Sequence, residues 1–198
     1  MTIFYRLGFK LYVNITNACN CDCIFCIRNT SDGVGDAKSL WLEREPSLDE
    51  IKSAFDNRND LEEVDEIVFC GYGEPLERAD DVVHITRYIK EKTNLPVRIN
   101  TNGLVRLINP DFDISLLAVA DSLSVSLNAD DEEEYVRVSR PSFGAKAFRE
   151  MLDFAAAVKV YVPNVYLTVV DTLEKRRIAN CYRLAESANL PLRVRSYY

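Results

Sequence analysis

Nowhere in this 198-residue chain does an apolar run approach the roughly 20 residues of a membrane span, and residues 1–10 lack the plan of a signal peptide. A cytoplasmic protein is expected. Positive charge is in short supply: 24 Lys and Arg face 31 Asp and Glu, for a net charge of −7. That balance argues against a dedicated binder of nucleic acid or anionic membranes. Histidine is nearly missing. The single one, His84, falls in a helical pattern away from any strand end, a helix-surface position rather than that of a general base. Internal repeats and low-complexity tracts are absent too. With 47% hydrophobic and 28% charged residues, the composition is that of an ordinary globular chain, and one domain over residues 1–198 is expected.

Against this background, four of the six cysteines crowd into one octapeptide, Cys19-Asn20-Cys21-Asp22-Cys23-Ile24-Phe25-Cys26. In a reducing cytosol, clustered thiols serve metals or redox chemistry more often than disulfides. Cys19, Cys23 and Cys26 follow the spacing C-x-x-x-C-x-x-C. Three thiolates on one short loop can hold three corners of a cubic iron–sulfur cluster and leave the fourth iron open. The competing arrangement is a structural zinc held by Cys19, Cys21, Cys23 and Cys26, although such sites usually join two separated knuckles. Cys70 and Cys181 read as core residues.

Short β runs alternate with amphipathic helical patterns. Strands are expected at residues 11–16, 66–70, 97–101, 122–127, 164–170 and 192–196, and helices at 80–92, 111–120 and 145–160. Ser47-Leu48-Asp49-Glu50 and Asp171-Thr172-Leu173-Glu174 read as capping boxes that start two more helices. Such alternation implies right-handed βαβ units and a parallel sheet. A doubly wound sheet would be apolar on both faces. Here Ser122, Ser124, Ser126 and Asn128 share one face, and Arg98 and Asn100, like Arg193 and Arg195, oppose apolar neighbours. One polar face suggests a wet lumen, and hence an α/β fold built as a partial (βα)6 TIM-like barrel. With no further strand after the sixth, the barrel is expected to be open on one side and to admit a large substrate. Residues 27–46, about twenty with no clear element, form either a surface excursion anchored by Trp41 and Leu42 or a lid.

Further motifs end successive strands: Gly71-Tyr72-Gly73-Glu74-Pro75 after the second, Asn100-Thr101-Asn102-Gly103 at the third, and the serine row of the fourth. Each is turn-like alone, although Glu74 could accept hydrogen bonds from an ammonium group. Their order is informative, because all would point at one mouth. The cysteine loop (residues 17–29) with Phe25 before Cys26, followed by GYGEP, NTNG and SLSVSLN, resembles the radical S-adenosylmethionine (radical SAM) superfamily over roughly residues 11–196. Residues 5–8, 26–29 and 40–47 resemble, within it, the small proteins named for association with TatD-type nucleases.

The resemblance implies an oxygen-sensitive enzyme in which Cys19, Cys23 and Cys26 ligate a [4Fe-4S] cluster whose fourth iron binds SAM. Phe25 would lie against the adenine. Gly71 and Gly73 would bring backbone carbonyls to the methionyl ammonium, with Glu74 buttressing the turn, although Tyr72 interrupts the commoner glycine pair. Asn100, Asn102, Ser126 and Asn128 would contact ribose and carboxylate. The implied partners are an external electron donor of flavodoxin or ferredoxin type and a small-molecule or peptide substrate. The implied reaction is cleavage of SAM to methionine and a 5′-deoxyadenosyl radical that abstracts hydrogen. Two alternatives go with it: protein modification of the glycyl-radical-activating type, and a non-catalytic cluster- or SAM-binding accessory. Arg98, Arg193 and Arg195 could bind an anionic substrate or the SAM carboxylate, with ordinary ion pairing expected for at least one.

Overall fold

Seven strands form one sheet in strict chain order, and this order decides the architecture. A doubly wound sheet reverses its strand order midway. Here β2 (Lys10–Val13), β3 (Glu66–Phe69), β4 (Val97–Thr101), β5 (Ser122–Ser126), β6 (Asn164–Val170) and β7 (Leu192–Arg195) each pair in parallel with the next. Every crossover therefore winds the same way, as in a barrel. The computed structural model describes residues 1–196.

The first strand, β1 (Phe4–Leu7), is not among the expected six and pairs antiparallel with β2. Leu7 opposes Lys10, leaving Gly8-Phe9 as a two-residue turn with Gly8 at φ 62°. A glycine leading a two-residue hairpin turn is the signal that marks it in the sequence. β1 and β7 do not pair with each other, so the sheet stays open.

The two faces follow the sequence alternation. Leu11, Ile67, Phe69, Val97, Ile99, Leu123, Val125, Leu167 and Val169 are fully buried under the helices. Burial of such side chains contributes on the order of 1.5–3 kcal/mol each before entropy is counted. The other face carries Tyr12, Val68, Arg98, Asn100, Ser124, Tyr166, Thr168 and Arg193 in matching register. Parallel strands in unbroken order, with helices packed on the apolar face alone, curl into a barrel wall with this polar face inside.

Helix α1 (Leu48–Asp56) opens on a complete capping box. Ser47 Oγ accepts from Glu50 N at 3.2 Å, and the Glu50 carboxylate accepts from Ser47 N at 2.8 Å. Helices α2 (Ala79–Lys92) and α5 (Lys146–Val158) fall near their expected positions. In α5 the buried Ala147, Met151, Phe154, Ala155 and Val158 keep helical spacing.

The second expected capping box does not form. Helix α6 (Lys175–Ser187) starts after Glu174 with no side-chain cap bond. Asp171 N instead donates to Arg195 O at 2.9 Å, so the β6–β7 ladder holds this backbone in the sheet. The helix expected at 111–120 is instead a 3-10 segment, Ile114–Val119. Two helices are additional: a single turn, α3 (Val105–Ile108), and α4 (Glu132–Ser139), whose N-cap Asp131 accepts from Glu134 N at 2.8 Å. Among the described residues no helix is long and apolar enough to cross a membrane.

Candidate cluster and cofactor site

The cysteine loop leaves the C-terminal end of β2 and docks on the end of α4. Ile24 N donates to Val138 O at 2.9 Å and Asp22 N to Ser139 O at 3.1 Å, while Ser142 N returns a bond to Asn20 O at 2.8 Å. The last carbonyls of a helix lack intrahelical partners. Here the loop satisfies them, and so α4 positions the thiols.

Cys19, Cys23 and Cys26 are half-buried, whereas Cys21 is buried. Burial pushes the Cys19 thiol up to about 12 and raises Cys26. A hydrogen bond shared with Cys21 holds Cys23 down and drives Cys21 up. Arg28 counteracts burial at Cys19, Cys23 and Cys26 alike, since its nearby charge favours their thiolates. Its guanidinium is anchored on Cys21 O at 3.2 Å and Asp22 at 3.4 Å. Sequence reading missed Arg28 as a site residue; the signal was a cation two positions after Cys26.

Among the described residues no three His, Cys, Asp or Glu side chains converge tightly enough to hold one metal ion. A four-iron cluster instead takes each thiolate on a different iron. Three accessible soft donors flanked by a cation fit such a cluster.

Segment 71–75 presses against the base of this loop. A Cβ on Gly73 would stand 2.4 Å from Thr16 O and 2.6 Å from Ala18 O, and one on Gly71 would meet Asn14 Oδ1 at 2.0 Å. Only glycine permits that approach. Glu74 is enclosed: it accepts from Leu76 N at 3.0 Å, Thr101 Oγ1 at 2.7 Å and Asn102 N at 2.7 Å. Burial still pushes its carboxyl up to about 7. Glu74 thus ties the end of β3 to the end of β4.

Asn102 extends the brace by donating to Asn20 Oδ1 at 2.7 Å and accepting from Leu104 N at 3.0 Å. Asn100 accepts from Arg98 Nη1 at 2.6 Å. Ser126 is half-buried and makes no side-chain hydrogen bond among the described residues. Asn128 adopts the left-handed conformation (φ 60°), and its Nδ2 donates to Ser139 Oγ at 3.1 Å. Phe25 is half-buried against the core.

Four buried side-chain atoms find no partner among the described residues: Asn14 Oδ1, Asn20 Nδ2, Asn128 Oδ1 and Tyr135 Oη. Asn14 and Asn128 follow strand ends, Asn20 is in the cysteine loop, and Tyr135 is packed in the core on α4. Buried polar atoms are normally satisfied; Asn20 and Asn128 lie at the thiol loop, bonded to Asn102 and Ser139.

Residues 27–46 are packed down at the side of the mouth. Asn14 Nδ2 donates to Leu40 O at 2.7 Å, Asn17 bonds both Leu42 N and Leu42 O, and Tyr72 Oη donates to Ser31 O. Trp41 meets the Tyr72 ring edge-on with centroids 5.0 Å apart. The same segment bonds Arg6 through Asp36, covering the outer edge of β1.

His84 is exposed and bonds Asp80 O within its own helix. Arg98 is taken by Glu66 through two nitrogens, at 3.1 and 3.0 Å, the ion pair expected of at least one of the three arginines.

The family model described as the radical SAM superfamily matches residues 13–183. Over 171 residues the chain is 26% identical to a probable dual-specificity RNA methyltransferase RlmN of Streptococcus mutans, covering 81% of this chain and 44% of that protein. The chain therefore spans less than half the length of this curated relative. Among solved structures, Streptococcus suis SuiB bound to S-adenosylmethionine superposes with a TM-score of 0.70 at 14% identity, over 97% of this chain and 41% of that one. Native anSMEcpe with bound AdoMet superposes with a TM-score of 0.63 at 18% identity, over 94% and 51%. These likenesses establish the partial-barrel fold.

Proposed function

The chain belongs to the radical SAM superfamily, and from that premise we propose that it is an oxygen-sensitive cytoplasmic radical SAM enzyme that abstracts hydrogen from a small-molecule or peptide substrate. Cys19, Cys23 and Cys26 would hold a [4Fe-4S] cluster, with Cys21 buried behind them. When bound, that cluster supplies the electron that cleaves SAM to methionine and a 5′-deoxyadenosyl radical, which takes hydrogen from the substrate. The observation that carries the reading is the juxtaposition of three half-buried thiols on one loop with segment 71–75 and the end of β4 that brace it.

The protein's own share is positioning. Gly71 and Gly73 let the backbone of residues 71–75 lie against the thiol loop, leaving its carbonyls to the methionyl ammonium. Glu74 and Asn102 lock that segment to β4 and to the loop. Asn128 Oδ1 would accept from SAM and the Ser126 hydroxyl would accept or donate, with Asn100 beside them and Phe25 against the adenine. Residues 27–46 wall one side, which limits water around a reactive species. Reduction calls for an external donor of flavodoxin or ferredoxin type.

The RNA-methylating activity in the relative's name is not carried over, because the match covers 44% of that protein. The closer likeness to TatD-associated proteins rests on residues 5–8, 26–29 and 40–47. Anaerobically reconstituted protein, given SAM and reductant, is expected to release 5′-deoxyadenosine and methionine. A chain that binds iron and sulfide yet makes neither would overturn the enzymatic reading in favour of an accessory role.

A further inference from the structure

Of the three arginines on the inner face, Arg98 is neutralised by Glu66, which also holds Lys10 at 2.8 Å. Arg193 and Arg195 differ: neither has a carboxylate within ion-pair distance among the described residues, although acidic groups outnumber basic ones, 31 to 24. Both are exposed at the open edge of the sheet, on the strand face that continues the lumen side of β6. The Arg193 guanidinium lies 3.6 Å from the centroid of the Tyr166 ring, itself only 5% exposed and on the lumen face of β6. Arg195 lies two residues further along β7 and so shares that face.

Stacking holds a guanidinium's plane while leaving its edge donors free. Residues two apart on a strand lie about 6–7 Å apart on one face. The lumen side of β7 thus presents two cations in series, the first held by the Tyr166 ring. Thr168 on β6 pairs in register with Arg193 and, on its other side, with Ser126 on β5. Two strand spacings, about 10 Å, separate Arg193 from the residue assigned to SAM.

We propose that Arg193 and Arg195 are the anion-recognition residues of this lumen and that the substrate carries a phosphoryl group. A phosphate ester holds close to two negative charges near neutral pH, matching two guanidiniums where one carboxylate matches one. The site binds the remote end of the substrate and leaves its reacting carbon toward the mouth. This inference rests on reading the lumen as the active site.

The test is calorimetric titration of the full chain, cluster-loaded and cluster-free, with pyrophosphate, and with acetate as a monoanion. Pyrophosphate is expected to bind both forms, and acetate tenfold or more weakly. Arg193→Ala and Arg195→Ala should each weaken pyrophosphate at least tenfold, while Arg149→Ala, on the outer surface of α5, leaves it unchanged. Arg195→Gln, which keeps the aliphatic stem, answers the same question should alanine prevent folding. Wild-type affinity in the double variant overturns the proposal. So does competitive displacement of pyrophosphate by SAM, which would assign both arginines to the SAM carboxylate. Binding is read without turnover, so a protein that holds pyrophosphate but makes no 5′-deoxyadenosine fails the enzymatic reading and not this one.

Discussion

Cys21 and Cys23 are two residues apart and have opposite environments, one thiol buried and pushed up, the other half-exposed and held down. Cys21→Ser is therefore expected to retain reconstituted iron and sulfide, while Cys23→Ser loses most of both, as measured by metal and sulfide analysis. The reverse pattern would exchange their roles. Glu74 makes a second prediction at this scale. Its carboxyl rises from 4.5 to about 7 in the fold, chiefly through burial. Between those values the folded chain keeps a proton that the unfolded chain has shed. Stability from this group is thus full below about pH 4.5 and is lost as pH rises through about 7. In urea unfolding, the wild-type protein should lose stability relative to Glu74→Gln across that window. A constant difference would mean that the three donors keep the carboxylate ionised.

At the scale of elements, the site is assembled by pieces that hold one another. The cysteine loop caps α4, segment 71–75 lies under the loop, and Asn102 bridges β4 to it. Gly73→Ala would drive a methyl carbon into two backbone carbonyls that cannot swing aside. A cost of about 1–3 kcal/mol is expected in chemical unfolding, with reduced iron content because the loop must move. Cluster content equal to wild type would show that segment 71–75 and the loop are mechanically independent. The capping box at Ser47 was legible because its bonds are local. The box at Asp171 looked equivalent, but Arg195 on β7, far along the chain, claims its backbone. Local signals lose where a long-range ladder competes for the same amide. Helix α4 had its own local signal, Asp131 before three glutamates, but the acidic run also reads as a solvated stretch.

For the whole molecule, the open curved sheet sets a gradient of protection. Strands β3 to β6 have neighbours on both sides and helices over one face, whereas β1 and β7 are edges. Amide hydrogen exchange should be slowest in Ile67–Phe69, Ile99, Leu123–Val125 and Leu167–Val169, and markedly faster in β7. Equal protection of β7 would indicate that a partner or a second copy covers the open edge.

Sequence alone determined the ligand chemistry, the alternation of strands and helices, and the order in which the motifs reach one mouth. Each of these rests on side-chain type and short-range spacing. Tertiary structure decided which polar groups are already engaged. It showed that Glu74 is a brace rather than a free acceptor, that Arg98 is paired while Arg193 and Arg195 are not, that Arg28 is anchored on the cysteine loop, and that β1 extends the sheet. Those outcomes depend on which groups curvature brings together from distant strands, and a sequence pattern carries no measure of that distance.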